Sequence, residues 1–190
     1  MLIIYSHPKR SGFSGFFLKK VLEKLNKAKI KYEVIDLYKD NFNPVLSAEE
    51  HYTSGGYQIA DEVKIIQDKI TASKHLIFIH PLWWQSIPAI LKGFFDRVLT
   101  PRFAFKYIGK YPLGLLKDKR AVVFTHSAGP KLFTILYAGN KALKTVVKDT
   151  LGFCGIKTKG YLLGSATKLD SNKEIEIDKM VSKGIKFLKI

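Results

Sequence analysis

Five short apolar segments, each followed by a helical pattern, constrain the fold of this chain more than any other feature. They are Leu2–Ser6, Tyr32–Leu37, His75–His80, Ala121–His126 and Ile156–Gly164. Several are continuous rather than alternating, such as Leu2-Ile3-Ile4, Leu76-Ile77-Phe78-Ile79 and Val122-Val123-Phe124. A strand whose two faces are both covered reads this way, because neither face needs polar side chains. Apolar stripes of helical period lie between and after the segments. Phe17, Val21, Leu22 and Leu25 form the first; Ile59, Val63, Ile66 and Ile70 the second; Ile90, Leu91, Phe94, Phe95 and Val98 the third. Leu143, Val146, Val147 and Leu151 make a fourth, and Ile177, Met180, Val181 and Leu188 a fifth.

Repeated strand–helix alternation implies an α/β fold with a doubly wound, five-stranded parallel sheet and helices on both faces. The strand order 2-1-3-4-5 suits five strands. One domain over residues 1–190 is expected, since the sequence contains no internal repeat, low-complexity tract or linker. Two connections exceed a plain loop, Tyr38 to Gln58 and Leu99 to Lys119; the second is rich in aromatics. Loops that long in a compact domain are usually functional or interfacial.

The net charge of +16 raises nucleic acid or an anionic surface as partners. Only Arg10, Arg97, Arg102 and Arg120 are arginines, however, and the lysines are scattered. Phosphate and base recognition draws on arginine forks, so solvated helix faces account for the surplus and nucleic-acid binding is not expected. The longest apolar runs are strand-length, which leaves no transmembrane helix and no membrane insertion. Met1 leads straight into Leu2-Ile3-Ile4, without the pattern of a secretory leader. A single cysteine, Cys154, cannot form an internal disulfide, and a reducing cytoplasm is the expected location. No His/Cys/Asp/Glu group has metal-ligand spacing, so no metal is expected.

In a sheet of this order, ligands bind beyond the carboxyl ends of the strands, where strand order reverses. The loops after the first, third and fourth strands meet there. The first is His7-Pro8-Lys9-Arg10-Ser11-Gly12-Phe13-Ser14-Gly15, running into a helix. Small residues, hydroxyls and a helix N-terminus suit a phosphate, although the same residues also suit an ordinary capped turn. Neither G-x-G-x-x-G nor a Walker lysine motif is present. The second loop is Pro81-Leu82-Trp83-Trp84-Gln85-Ser86-Ile87-Pro88. It reads as a flat apolar wall, with one tryptophan expected in the core and the other lining a pocket. The third, Thr125-His126-Ser127-Ala128-Gly129-Pro130, offers hydroxyls, amides and a histidine that is either structural or a proton donor. A phosphate cradle, an aromatic wall and a polar loop at one switch point are what a phosphorylated planar cofactor needs. Flavin mononucleotide is the natural candidate.

The segment Pro81-Leu82-Trp83-Trp84-x-x-x-Pro88-Ala89-Ile90-Leu91-Lys92-Gly93-x-Phe95-Asp96-Arg97-Val98 closely resembles the NAD(P)H:quinone reductase (DT-diaphorase) family. Asp36-Leu37-Tyr38 with Asn41-Phe42-Asn43-Pro44, the first strand ending in His7, Phe103-Ala104-Phe105-Lys106-Tyr107 and Phe153-Cys154-Gly155 are similar to the same family. The likeness runs from about residue 1 to 160. It implies a flavodoxin-like fold and a homodimeric flavoenzyme that passes hydride from NAD(P)H to a quinone-like acceptor by ping-pong transfer. On this resemblance His7, Ser11, Phe13 and Ser14 hold the phosphate end. Pro81, Leu82, Trp83 and Trp84 hold and cover the isoalloxazine ring, while Thr125, His126, Ser127 and Ala128 approach its pyrimidine edge. Trp84, Phe105 and Tyr107 form the substrate pocket, the last two reaching into the partner subunit. His126 and Tyr107 are the candidate catalytic residues.

Two departures stand out. Better-known members carry a tyrosine and a histidine after the fourth strand, where Phe133 and Gly139 stand here; His126, Tyr137 or solvent would have to take over that relay. The chain also ends soon after the fifth helix, whereas longer relatives add a C-terminal region. FMN is expected over the alternative FAD because the chain is compact. Two other readings remain at this level. One is a flavin-binding regulatory subunit associated with a membrane transporter; the other is a flavodoxin-like electron carrier, against which the basic charge and the first loop argue.

Overall fold

The structure is a computed structural model that describes residues 1–53 and 57–190. Residues 54–56, within the long Tyr38–Gln58 connection, lie outside the described residues. Five parallel strands form the sheet: β1 (Leu2–Tyr5), β2 (Glu33–Asp36), β3 (His75–Pro81), β6 (Arg120–His126) and β7 (Lys157–Leu163). Their order is β2-β1-β3-β6-β7, which is the expected 2-1-3-4-5 once a separate hairpin, β4 (Phe105–Ile108) with β5 (Tyr111–Gly114), is numbered in chain order. The chain leaves β1 toward β2 and then crosses to β3 on the other side, so the direction reverses between β1 and β3.

Alternation along the central strands divides the core in two. Ile3, Tyr5, Ile77, Ile79, Val122 and Phe124 pack with α1 (Phe13–Lys27) and α6 (Ser171–Leu188). Leu2, Ile4, Leu76, Phe78, Ala121 and Val123 pack with α2 (Asp61–Ala72) and α3 (Ala89–Val98) on the other face. The continuous apolar character of the strands follows directly from this double coverage. Among the described residues, no helix is long and apolar enough to cross a membrane.

The fourth apolar stripe does not keep the 3.6 period. A six-residue helix, α4 (Lys131–Leu136), comes first; then α5 (Lys141–Lys144) continues as a π-helix over Thr145–Gly152. Gly160 of β7 offers a physical reason. A Cβ there would lie 2.6 Å from Leu143 and 2.9 Å from Val147, so the helix sits directly on the bare backbone of the strand. Leu143 and Val147 then face the same spot four residues apart.

The connection Leu99–Lys119 folds into the β4–β5 hairpin, which the sequence pattern does not announce. Its seat is the turn Phe153-Cys154-Gly155. Gly114 approaches Cys154 so closely that a Cβ would stand 2.3 Å from its carbonyl carbon, and the Leu116 amide donates to the Cys154 carbonyl at 2.9 Å. Phe105 meets Phe153 edge-on at 4.9 Å. This turn precedes β7, so the hairpin is seated at the amino end of the sheet.

Arg97 ties the long segment after β2 to the body of the fold. Its guanidinium is 4% exposed and donates to both carboxylate oxygens of Glu50, at 2.7 and 2.8 Å, to the Asn43 carbonyl and to Glu62. Through these bonds Glu50 holds Arg97 above its usual range, and Arg97 holds the Glu50 carboxyl below its own. A buried carboxylate left without its partner is costly. Replacing Arg97 with leucine is therefore expected to destabilise the protein by about 3–5 kcal/mol, measured by chemical denaturation. A change below about 1 kcal/mol would show that Glu50 finds solvent instead.

Candidate functional site

The loops after β1, β3 and β6 meet at the carboxyl ends of the strands, and four contacts join them. The Ser14 hydroxyl lies 2.8 Å from His126 Nε2. The Leu82 amide donates to the His126 carbonyl at 2.8 Å. His7 and Trp83 face each other with ring centroids 5.9 Å apart, and Phe13 lies 5.5 Å from the His126 ring. His126 therefore touches the first loop with its ring and the second with its backbone.

The first loop is built as a cradle. Gly12 precedes α1 with φ 83° and ψ −161°, a conformation that essentially only glycine adopts. Gly15 in the first turn lies against the Arg10 carbonyl, where a Cβ would stand 1.6 Å from the oxygen. The loop thus folds back over the helix start. No side chain caps α1 and no acidic residue stands in its first turn, so its leading amides are open to an anion. The α6 N-terminus differs, with Asp170 accepting from the Lys173 amide. His7 Nδ1 donates to the Lys9 carbonyl at 2.6 Å, Ser11 is exposed, Phe13 is half-buried and Ser14 is buried. Arg10 is bound by Asp36 at the end of β2, with Nε and Oδ2 2.9 Å apart, so its charge holds the loop to the sheet.

The second loop differs from the expected wall. Neither tryptophan enters the core: Trp83 is 40% and Trp84 100% exposed. Trp83 and Ser86 exchange amide–carbonyl bonds of 3.0 and 2.9 Å, while Trp84 and Gln85 between them have φ of 52° and 55°. This is the backbone of a type I′ turn, which Asn-Gly normally occupies. A tryptophan in the left-handed region is a strained choice, and such strain gathers at functional sites. The turn also consumes the Trp83 amide, and the His126 carbonyl consumes that of Leu82. Backbone donors toward a bound ring must then come from Trp84 onward. Pro81 is buried at the end of β3.

In the third loop, Thr125 is fully buried on the α2–α3 side beside His80. The Ser127 hydroxyl donates to the Gly129 carbonyl at 3.0 Å, and Ala128 is exposed. Burial, with lesser contributions from His7 and His80, pushes the His126 pKa down to about 4. Near neutral pH it is a neutral imidazole, able to exchange a hydrogen bond with Ser14 but not a standing cationic acid. His80 went unnoticed in the sequence as a polar member of this region. It is wholly buried and burial pushes it, too, down to about 4. A histidine ending an apolar strand before a proline was the available signal.

Phe105 and Tyr107 are not brought to this cluster. They lie on the hairpin at the amino end of the sheet, with Tyr107 60% exposed and Phe105 packed edge-on against it at 5.9 Å. Within one protomer they cannot share a pocket with Trp84.

Comparison with known proteins agrees with this geometry. Residues 1–184 match the family model described as Flavodoxin-like fold. A ribosyldihydronicotinamide dehydrogenase [quinone] of Pongo abelii is 32% identical, with 92% of this chain and 84% of that protein covered. The structure of an NAD(P)H:quinone oxidoreductase from Methanothermobacter marburgensis superposes with a TM-score of 0.83 at 29% identity, covering 100% of this chain and 96% of that one. An FMN-dependent NADH-azoreductase from Bacillus anthracis in complex with FMN gives a TM-score of 0.72 at 25% identity, covering 96% and 97%. The chain belongs to the flavodoxin-like family and, within it, with the NAD(P)H:quinone reductases.

Two outcomes follow for the site. Replacing Trp84-Gln85 by Asn-Gly removes two strained residues, and unfolding stability should rise by about 1–3 kcal/mol while ligand affinity at the turn falls. Unchanged stability would mean the turn is unstrained. The buried His80 and the partly buried His126 have folded-state pKa values below the unfolded value, so their stability is intact above pH ~6.5 and is lost as pH falls toward 4. Denaturation series should show a loss of about 1.4 kcal/mol per pH unit for each histidine in that window, and His80→Phe should remove one histidine's share.

Proposed function

We propose that this chain is an NAD(P)H-dependent flavin oxidoreductase that reduces a quinone-like acceptor by ping-pong hydride transfer, with FMN as the cofactor. The observation that carries this reading is the pairing, across His126, of an uncapped helix N-terminus on one side with a strained, exposed aromatic turn on the other. One suits a phosphate and the other a planar ring. The quinone acceptor and the nicotinamide donor are supported by the name of the Methanothermobacter enzyme, and FMN by the azoreductase complex.

In this reading His7, Ser11, Phe13 and Ser14 hold the phosphate end, with Gly12 and Gly15 permitting the loop. Pro81, Leu82, Trp83 and Trp84 form the shelf and cover for the ring. Ala128 faces the pyrimidine edge, and Thr125 and Ser127 support that loop from beneath. When bound, the flavin supplies hydride acceptance and donation. The protein's own groups orient the reactants and exclude water. His126, neutral near pH 7, keeps Ser14 and the shelf in fixed relation.

Phe105 and Tyr107 can complete the substrate pocket only from a second copy, because their own hairpin is seated at the opposite end of the sheet. A homodimer follows, with Tyr107 over the partner's shelf beside Trp84. The exposed side chains of Tyr107, Ile108 and Tyr111 fit a face covered in that assembly.

The test is to purify the protein, release any chromophore by denaturation and identify it by chromatography. A yellow protein that yields FMN, bleaches on addition of NADH or NADPH and regains colour with a quinone is expected. A protein that binds neither FMN nor FAD on reconstitution would remove this function. Sedimentation should give a dimer at micromolar concentration, and Tyr107→Ala should impair turnover without releasing flavin.

A further inference from the structure

Ser6, His80 and Thr125 form a row of polar side chains across three adjacent strands, all of them fully buried. The register places them side by side. Tyr5 pairs with Ile79, so Ser6 comes next to His80, and His80 pairs with Thr125. By alternation from Ile4, Phe78 and Val123, all three point to the α2–α3 face of the sheet.

The hydrogen bonds of His80 fix its tautomer. Nδ1 lies 2.9 Å from the Pro81 carbonyl oxygen, which can only accept, so Nδ1 carries the proton and donates. The Thr125 hydroxyl, at 3.4 Å from Nδ1, is a looser neighbour. His80 is neutral in this setting, which leaves Nε2 as a bare acceptor. Among the described residues neither His80 Nε2 nor the adjacent Ser6 Oγ has a partner. Buried polar atoms are almost always satisfied, and here a hydroxyl and an unprotonated ring nitrogen lie on neighbouring strands with no bond between them.

We propose that Ser6 Oγ and His80 Nε2 bind a buried water on the α2–α3 face of the sheet, over β1 and β3, and that His80, held by this water, is a positioning residue for the aromatic shelf. Water suits the place because it can donate to Nε2 and exchange a bond with the Ser6 hydroxyl at once. The consequence for the shelf comes from the other ring nitrogen. Nδ1–H holds the carbonyl of the Pro81–Leu82 peptide while the His126 carbonyl holds its N–H, so this peptide is clamped from both sides where the strand turns into the Trp83–Ser86 turn. A rotated imidazole would release one side of the clamp.

The water site stands whether or not a flavin binds; only the effect on cofactor affinity rests on the function proposed above. Long-range proton–nitrogen NMR on histidine-labelled protein, with a high-resolution crystal structure, tests the first part. An unprotonated Nε2 and an ordered water within hydrogen-bond reach of both Ser6 and His80 are expected. An Nε2-protonated tautomer, a direct Ser6–His80 bond or a dry site would overturn the proposal. For the second part, FMN affinity is measured in Ser6→Ala, the gentler variant, and in His80→Phe. Affinity about tenfold weaker in His80→Phe, with Ser6→Ala in between, is expected. Wild-type affinity in a folded His80→Phe protein would remove the positioning role. If no variant, nor the wild type, binds FMN but the NMR and water results hold, the function proposal fails and the water site remains.

Discussion

The 2.8 Å bond from the Leu82 amide to the His126 carbonyl is small in energy but organises the functional end of the molecule. It extends the β3–β6 pairing one step past the last paired residues, Pro81 and His126, so the shelf loop leaves the sheet in a fixed direction. The ring of the same histidine reaches Ser14 at the start of α1, on the opposite face from His80. Three loops that belong to different strands thereby become one body. A ligand that spans a helix N-terminus and an aromatic turn needs such a body, because its two ends must be recognised at a fixed separation.

The strands and most helices are legible in the sequence because a parallel sheet covered on both sides demands long apolar runs, and Leu2–Ile4 or Leu76–Ile79 have no other use. The order of elements then fixes where the switch point falls, so His7, Ser14, Trp83 and His126 are brought together by the strand order alone. The remainder depends on contacts between distant segments. The β4–β5 hairpin has no alternating pattern, since its register is imposed by Gly114 lying on Cys154 and by Phe105 lying on Phe153. The π-helix carries helical composition, and what distinguishes it is its close fit onto Gly160. The Trp83–Ser86 turn lacks the Asn-Gly signature, because its two central residues adopt the left-handed region against their preference. That conflict between local propensity and structure marks a place shaped by function.

Charge follows the same division between local and global causes. Lys157 and Lys159 are exposed on β7, an edge of the sheet, where lysine discourages pairing with another chain. Others lie along the outer faces of α1 and α6, where Lys20 and Lys24 pair with Glu23 and Asp178. Arg97, by contrast, is buried in the fold on Glu50, and the half-exposed Arg10 reaches in to the buried Asp36. The surplus of +16 is thus mostly a solvated lysine coat, while Arg97 and Arg10 fasten the segments that follow β2 and β1.

The central claim is that the carboxyl end of the sheet is one flavin site made by the β1, β3 and β6 loops. A crystal structure of the protein with FMN tests it most directly. The account predicts the phosphate at the first-turn amides of α1 beside Ser14, the ring against the Trp83–Ser86 turn, and Tyr107 of a second copy above it. Density for FMN away from these loops, or a phosphate elsewhere on the protein surface, would contradict it.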